Sequence, residues 1–456
     1  MKRSFAFVVL CVLCLGCFSQ SYSVLFKVLG FSEQEIILTK ADGDVLLIVD
    51  TLTSDSEGLF KQDFSLGDEM GLYKFIFPQL GDAEVPFIFN YEDISLTANV
   101  QDISGTIEVL HSQENKVYYD SKEEIAQYKK DMQTLEYVYS EYSGENYRAL
   151  SATESINRMK THTGYIEHLK KDFAELFATK IASSSTPVFA PLHLSSKEKF
   201  DYLRSHFFDN IDFSDSLLLK TPIISNACIE YLGLYSHSIN AKNKSEVLKM
   251  AVDSILLKAS EYEHSYDFVV NYLLDGFGSM GDNYLVEYIS EKFIEEKSCE
   301  NSDENSTTER KVLSNTLLAV GKDSPHFKGT TLGGEKVDLQ KSSNKPIVIV
   351  FWASWCSHCV AEIPSIIEHY NLYKEKYDLY TVSLDENLND LTTFVGYFPN
   401  LQSITICDQK SWDGEIAEAF KIYATPSFFV IKDNKIFSKP IDYIELQTSL
   451  KQLGIE

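Results

Sequence analysis

Past its first residues, the 456-residue chain has no apolar run long enough to cross a bilayer, which takes about 20 consecutive apolar residues. It also lacks basic clusters with interleaved aromatics. With 41 Lys and Arg against 67 Asp and Glu, the formal charge is -26. So acidic a surface repels phosphate backbones and anionic lipids, which excludes nucleic acid as a partner. Solubility is the plain consequence, and basic protein partners would also be favoured. Metal signatures are absent among the scattered histidines (His162, His168, His193, His206, His237 and His264), and no repeat period emerges. His162 and His168 are six positions apart and do not share a helix face cleanly. Cysteine is sparse, with 8 in all.

What is present is concentrated in one run, Phe351-Trp352-Ala353-Ser354-Trp355-Cys356-Ser357-His358-Cys359. Residues 346 to 353 (PIVIVFWA) form a continuous apolar stretch rich in β-branched and aromatic side chains, as in a central parallel strand covered on both faces. The period then changes: Val360, Ile363, Ile366, Ile367 and Tyr370 recur at helical spacing, which puts Cys356 at or just before the first helical turn. Free backbone N–H groups and the helix dipole favour a thiolate there. In such settings a cysteine pKa near 8.5 falls to roughly 3.5–7.5. Cys356 is the candidate nucleophile. Cys359, one turn on, is the candidate resolving cysteine, able to attack a mixed disulfide at Cys356. His358 between them would stabilise the thiolate and push the pair towards oxidising power. Glu362 lies three residues after Cys359 and on the same helical face. It is either the base that takes the Cys359 proton or a solvated acid complementing the helix dipole.

A structural metal site is the alternative use of such a cysteine pair. Zinc needs four ligands, commonly two such pairs or a pair plus two spaced histidines, and the only other cysteine nearby in sequence is Cys407, with His369 on the same expected helix as the pair, which disfavours it. Cys407, closing the apolar run SITIC, reads as a small buried side chain. Cys228, in an expected helix, and Cys299, in a polar stretch, could pair in an oxidising compartment or stay free.

From Val320 onward the chain resembles the thioredoxin superfamily, in particular its TlpA/ResA-like envelope branch. The resemblance rests on ordered motifs: Gly321-Lys322-Asp323-Ser324-Pro325-His326-Phe327, then FWASWCSHC, Glu362-Ile363-Pro364, Val382-Ser383-Leu384-Asp385 and Ala424-Thr425-Pro426-Ser427. It implies that Pro426 follows a cis peptide bond facing the cysteine pair, that Thr425 presents its backbone to an extended substrate, and that Trp355 lines the same site. Thioredoxin proper has a buried Asp where this chain has Val350, and Glu362 matches the acid of the TlpA-like branch. The Ser-His dipeptide departs from the proline-containing dipeptide usual in these reductases, so the direction of exchange stays open, with reduction preferred. The Pro-x-x-x-Thr-x-x-Cys run of a peroxiredoxin is missing.

The N-terminus reads as an export signal: basic Met1-Lys2-Arg3, an apolar stretch from Phe5 to Gly16, and small residues at Cys17 and Ser19 ahead of Gln20. Lipidation of Cys17 is the alternative processing route. Residues 1–19 are thus a signal peptide, and the mature chain has no membrane-spanning segment. Residues 20–117 alternate short apolar runs with turn signals, including Ala41-Asp42-Gly43-Asp44 and Ser56-Glu57-Gly58, as in an antiparallel β domain. They resemble the uncharacterised β-rich domain that precedes thioredoxin modules in bacterial envelope proteins. Residues 118–318 are helical in period, with an apolar stripe from Val247 to Ala259 and a capping box at Ser195-Ser196-Lys197-Glu198. Six or more helices are expected. Lys297–Arg310 reads as a linker and Ser183–Pro187 as a loop. Residues 319–456 are the α/β thioredoxin-like domain. The expected fold is therefore multidomain: antiparallel β, central α-helical, C-terminal α/β.

The expected activity is thiol-disulfide exchange through Cys356 and Cys359 without a dissociable cofactor or metal, in the periplasm or cell envelope. Exported protein thiols or disulfides and an envelope electron donor are the expected partners. The alternatives are a redox-responsive binding or scaffold protein and a thiol peroxidase.

Overall fold

The structure, a computed structural model, describes residues 21–235, 244–297, 307–338, 345–398 and 400–455. The expected signal peptide, Cys17 and Cys299 lie outside them. The chain divides into two compact units, Met1–Val269 and Val270–Glu456.

The first unit opens with strands β1 (Ser21–Leu29), β2 (Glu35–Asp42), β3 (Val45–Thr53), β4 (Leu59–Ser65), β5 (Gly71–Phe77), β6 (Ala83–Phe89), β7 (Ile94–Asn99) and β8 (Glu108–His111). They form two four-stranded sheets, ordered β4-β1-β7-β8 and β3-β2-β5-β6. Their inner faces share one aromatic core, with Phe26 of β1 stacked on Phe75 of β5 at 5.1 Å and Phe60 of β4 edge-on to Phe77 at 6.3 Å. The period-two burial of β1, β5 and β7 follows from this packing. Pairing is antiparallel except between β1 and β7, which run parallel from Val24↔Ile94 to Leu29↔Asn99. The expected antiparallel β domain is present, and this parallel pair is joined by the long connection β2–β6, most of which forms the second sheet. Gly43 and Asp44 make the β2–β3 turn. At Gly58, with φ +78°, a Cβ would collide with the Val28 carbonyl, so the β3–β4 turn requires glycine.

Helices follow: α1 (Gln113–Glu141), α2 (Glu145–Asp172), α3 (Phe177–Ser184), α4 (Ser196–His206), α5 (Ile223–Gly233), α6 (Lys244–Ala259) and α7 (Glu263–Ser279), the last running across the unit boundary. The start of α1 covers the edge strand β6. Buried Asn115 accepts from the Ile88 N–H and donates to the Ile88 carbonyl, both at 2.8 Å, satisfying groups an exposed edge would leave open. The Ser195–Glu198 capping box is formed at α4. The expected loop at Ser183–Pro187 begins later than its composition suggested: Ser183 and Ser184 complete α3, with the Ser183 hydroxyl bonded to the Thr179 carbonyl.

The second unit contains α8 (Asn283–Lys297), α9 (Thr307–Leu317), β9 (Lys328–Thr330), β10 (Lys336–Asp338), β11 (Ile347–Trp352), α10 (Ser357–Tyr373), β12 (Asp378–Ser383), α11 (Leu388–Val395), β13 (Thr405–Cys407), α12 (Glu415–Ala419), β14 (Ser427–Lys432), β15 (Lys435–Ser438) and α13 (Tyr443–Gln452). The linker expected at Lys297–Arg310 is corrected at both ends, because Lys297 closes α8 and Thr307–Arg310 form the first turn of α9. Polar composition suggested a linker, yet Thr308 and Arg310 are buried with specific partners. The central sheet runs β13-β12-β11-β14-β15, with β11 parallel to β12 and antiparallel to β14. β11 is wholly buried, as its unbroken apolar composition requires. The Gly321–Ser324 lead-in extends this sheet through bonds to Ile436 and Asn434 on the β15 side.

Candidate active site

The site is built where β11 ends. After Trp352 the chain makes a short turn through Ala353, Ser354 and Trp355, and Cys356 becomes the N-cap of α10, with extended dihedrals. The Cys359 N–H donates to Cys356 Sγ at 3.3 Å, and Cys356 Sγ lies 3.5 Å from the carbonyl oxygen of Thr425. The two cysteines are disulfide-bonded, with Cα atoms 5.3 Å apart. Cys356 keeps 8% of its surface and Cys359 1%, so Cys356 is the sulfur a partner can reach. The Thr425–Pro426 bond is cis. It leads into β14, which pairs with β11 and so carries Thr425 alongside Cys356.

Asp385, just after β12, braces the turn. This carboxylate is 2% exposed and accepts from the Ser354 N–H at 3.0 Å, the Ser354 hydroxyl at 2.5 Å and the Ser383 hydroxyl at 2.7 Å. Its motif was visible in sequence, but its role was not. The only available signal was a polar group closing a strand predicted to follow the cysteine helix. Asp385→Ala would strand three donors, and bonds to charged acceptors contribute about 1.5–3 kcal/mol each. Because the two freed hydroxyls can turn to other acceptors or water, the expected loss is that of one or two such bonds, about 3 kcal/mol of unfolding free energy in urea titrations, and an unchanged midpoint would overturn the bracing role.

Glu362 is half-buried on the second turn of α10, with Oε2 unpartnered. Desolvation, reinforced by Asp442, raises its carboxyl above the ordinary range against the opposing Tyr443 N–H and His358. Residues 442 and 443, at the start of α13, therefore face Glu362, a pairing sequence did not disclose. His358 stands exposed on the first turn of α10. Trp355 is 59% exposed, and its ring lies 6.4 Å from that of Trp412 at an interplanar angle of 55°. Trp412 was not foreseen, since it lies 57 positions away on a 3-10 turn at Ser411–Asp413.

The remaining described thiols are poor nucleophiles. Cys228 is fully buried, and burial pushes its thiol up to about 12. Cys407 is half-buried, donates to the Asp385 carbonyl at 3.2 Å, and is also raised by desolvation. Among the described residues no three His, Cys, Asp or Glu side chains converge as metal ligands, and no helix is long and apolar enough to cross a membrane.

A sheet in which a helix-capping cysteine pair faces a cis-proline loop defines a thioredoxin-type dithiol module. A family model described as Redoxin matches residues 319–443, and one described as a domain of unknown function (DUF5106) matches residues 150–315. The thiol-disulfide oxidoreductase ResA of Bacillus thuringiensis subsp. konkukian is 31% identical over 125 residues, covering 27% of this chain and 69% of that protein. Its counterpart in Oceanobacillus iheyensis is 30% identical over 125 residues, covering 26% and 63%. Among solved structures, the thioredoxin domain of a thiol-disulfide oxidoreductase from Bacteroides vulgatus overlaps 30% of this chain and 99% of its own, at 24% identity and TM-score 0.28. A thioredoxin-like protein from Bacteroides caccae overlaps 58% and 97%, at 16% identity and TM-score 0.39. The chain belongs to the TlpA/ResA-like branch of the thioredoxin superfamily and is a thiol-disulfide oxidoreductase.

Proposed function

We propose that the Cys356/Cys359 pair carries the exchange, with exported proteins as substrates and reduction as its direction. The observation supporting this most directly is the setting of Cys356 Sγ, at a helix N-terminus, 3.3 Å from the Cys359 N–H and beside the Thr425 carbonyl. The Cys356 thiolate attacks one sulfur of a substrate disulfide, a mixed disulfide forms, and the second substrate sulfur leaves as a thiolate. Cys359, losing its proton to Glu362, then attacks Cys356 Sγ and releases the first substrate sulfur. The substrate gains two electrons and ends as a dithiol, while the pair ends as the disulfide. A dithiol donor of the envelope resets it by the same exchange in reverse order.

Thr425 and Pro426 offer backbone to the substrate segment, Trp355 a wall beside the sulfur, and His358 an imidazole on the first turn. Residues 1–19 act as the export signal, with Cys17 as the point of lipidation if the chain is anchored. Capturing mixed disulfides in cells with Cys359→Ala tests this reading and names the clients. Exported polypeptides bound through Cys356, together with a mainly reduced pair in the unaltered protein, are expected. A pair found mainly oxidised would reverse the direction, and absence of any Cys356-linked polypeptide would favour a redox-responsive scaffold.

A further inference from the structure

Helix α9 falls within the match to the domain of unknown function up to residue 315, yet its side chains end in the redox module. Arg310, 9% exposed at its side chain, donates from Nη1 to the Trp412 carbonyl at 2.7 Å and from Nη2 to Asp413 Oδ1 at 3.0 Å, with Glu418 Oε2 at 3.3 Å. Lys311 Nζ meets Asp275 at 2.5 Å, donates to the Asn271 carbonyl at 3.2 Å and lies 5.8 Å over the Tyr423 ring. From the other side, Lys439 Nζ donates to the Ser314 carbonyl and hydroxyl at 3.1 and 3.0 Å. A buried cation is tolerated when its donors are satisfied, and these contacts fix where α9 lies against the module.

What Arg310 grips is a turn with two residues in left-handed backbone. Gln409 and Ser411 have φ of 61° and 54°, unfavourable for residues with a side chain, and such backbone persists only where surrounding contacts over-determine it. A guanidinium on the Trp412 carbonyl adds to the turn's own bonds, from the Lys410 N–H to Asp408 Oδ1 at 3.0 Å and from the Asp413 N–H to the Lys410 carbonyl at 3.1 Å. The Trp412 ring stands 6.4 Å from Trp355, whose backbone leads directly into Cys356. Trp355 is the residue before Cys356, so this aromatic pair adjoins the exchanging sulfur, and large rigid aromatic surfaces of this kind dominate polypeptide recognition.

We propose that Trp412 is the second wall of the groove seating the polypeptide around the substrate cysteine, and that Arg310 is its positioning residue. The proposal rests on the reading of Cys356 as the exchanging sulfur. It gives the last helix ahead of the redox module a task in substrate choice: α9 sets the groove without touching substrate.

The test compares two disulfides on the full chain, insulin and bis(2-hydroxyethyl) disulfide, for Trp412→Ala, Trp412→Phe, Arg310→Gln and Arg310→Lys. For Trp412→Ala the loss on insulin should exceed the loss on the small disulfide by about tenfold and appear mainly in KM, the scale of a lost aromatic anchor. Trp412→Phe should recover part of it. Arg310→Gln should show the same selective loss, and Arg310→Lys should restore part. In the Trp412→Ala background, Arg310→Gln should add little to the selective loss, because no indole is left for Arg310 to place; a merely structural arginine would add its cost in full. Equal losses on both disulfides, or additive effects, would overturn the proposal. Cys356→Ser serves as the control: if it keeps exchange activity, the reading of the cysteine pair has failed, and if it loses activity while Trp412→Ala treats both disulfides alike, only the groove has.

Discussion

Cys356→Ser is expected to lose insulin-reducing turnover on the order of 10⁴-fold or more, the scale seen when a covalent nucleophile is removed. A hydroxyl cannot form the mixed disulfide, and its oxygen stays protonated beside the same N–H groups that favour a thiolate. Cys359→Ala should behave differently. Its Cys356 can still attack once, so the protein should accumulate as a mixed disulfide visible on a non-reducing gel, with one equivalent of substrate thiol released and no further turnover. The order of alkylation follows from burial. With the pair reduced, Cys356 should react before Cys407, whose thiol is raised by desolvation, and well before Cys228, buried and pushed up to about 12. Peptide mass spectrometry after brief iodoacetamide treatment near neutral pH reads that order. Labelling of Cys407 ahead of Cys356, or substantial turnover in Cys356→Ser, would remove the basis for the proposed chemistry.

Much of this arrangement was legible in the chain because it is local. The change from the unbroken run PIVIVFWA to helical spacing after Val360 marks where β11 stops and α10 starts, and Cys356 is at that junction as its N-cap. Ser195 with Glu198, and Gly43-Asp44 between two apolar runs, announce their cap and hairpin in the same way. Contacts between distant residues were hidden. Asp385 reaches Ser354 only because β12 lies parallel beside β11, an outcome of sheet order. Arg310 meets Trp412 across 102 positions, and the polar residues that carry this contact are the ones that made Thr307–Arg310 resemble a linker. Composition reports whether a segment is polar, whereas burial of a cation depends on partners supplied elsewhere in the chain. Glu362 shows both sides of this. Its spacing from Cys359 was readable, but the face of Asp442 and Tyr443 opposite it came only with the position of α13.

That opposing face makes Glu362→Gln a change with two separable effects. Desolvation and Asp442 raise the Glu362 carboxyl in the folded protein, so folding favours the protonated form. The stability tied to that proton is fully present below the ordinary carboxyl range near pH 4 and is lost as pH rises through the raised folded value. Glutamine cannot ionise. The variant should therefore match the parent near pH 4 and unfold at higher urea concentration near pH 8, where the parent must hold a partly buried carboxylate with Oε2 unpartnered. Exchange should move the other way. With no carboxylate to take the Cys359 proton, release of the captured substrate should slow by about 10²-fold, the lower end for a positioned general base. Its rate should also lose the rising limb that deprotonation of Glu362 gives the parent. Urea titrations at the two pH values, paired with rapid-quench timing of mixed-disulfide decay, read both effects on one variant. Greater stability without slower decay would leave Glu362 a desolvated acid with no part in resolution, and slower decay with lower stability at pH 8 would mean that the carboxylate is held by contacts stronger than its burial cost.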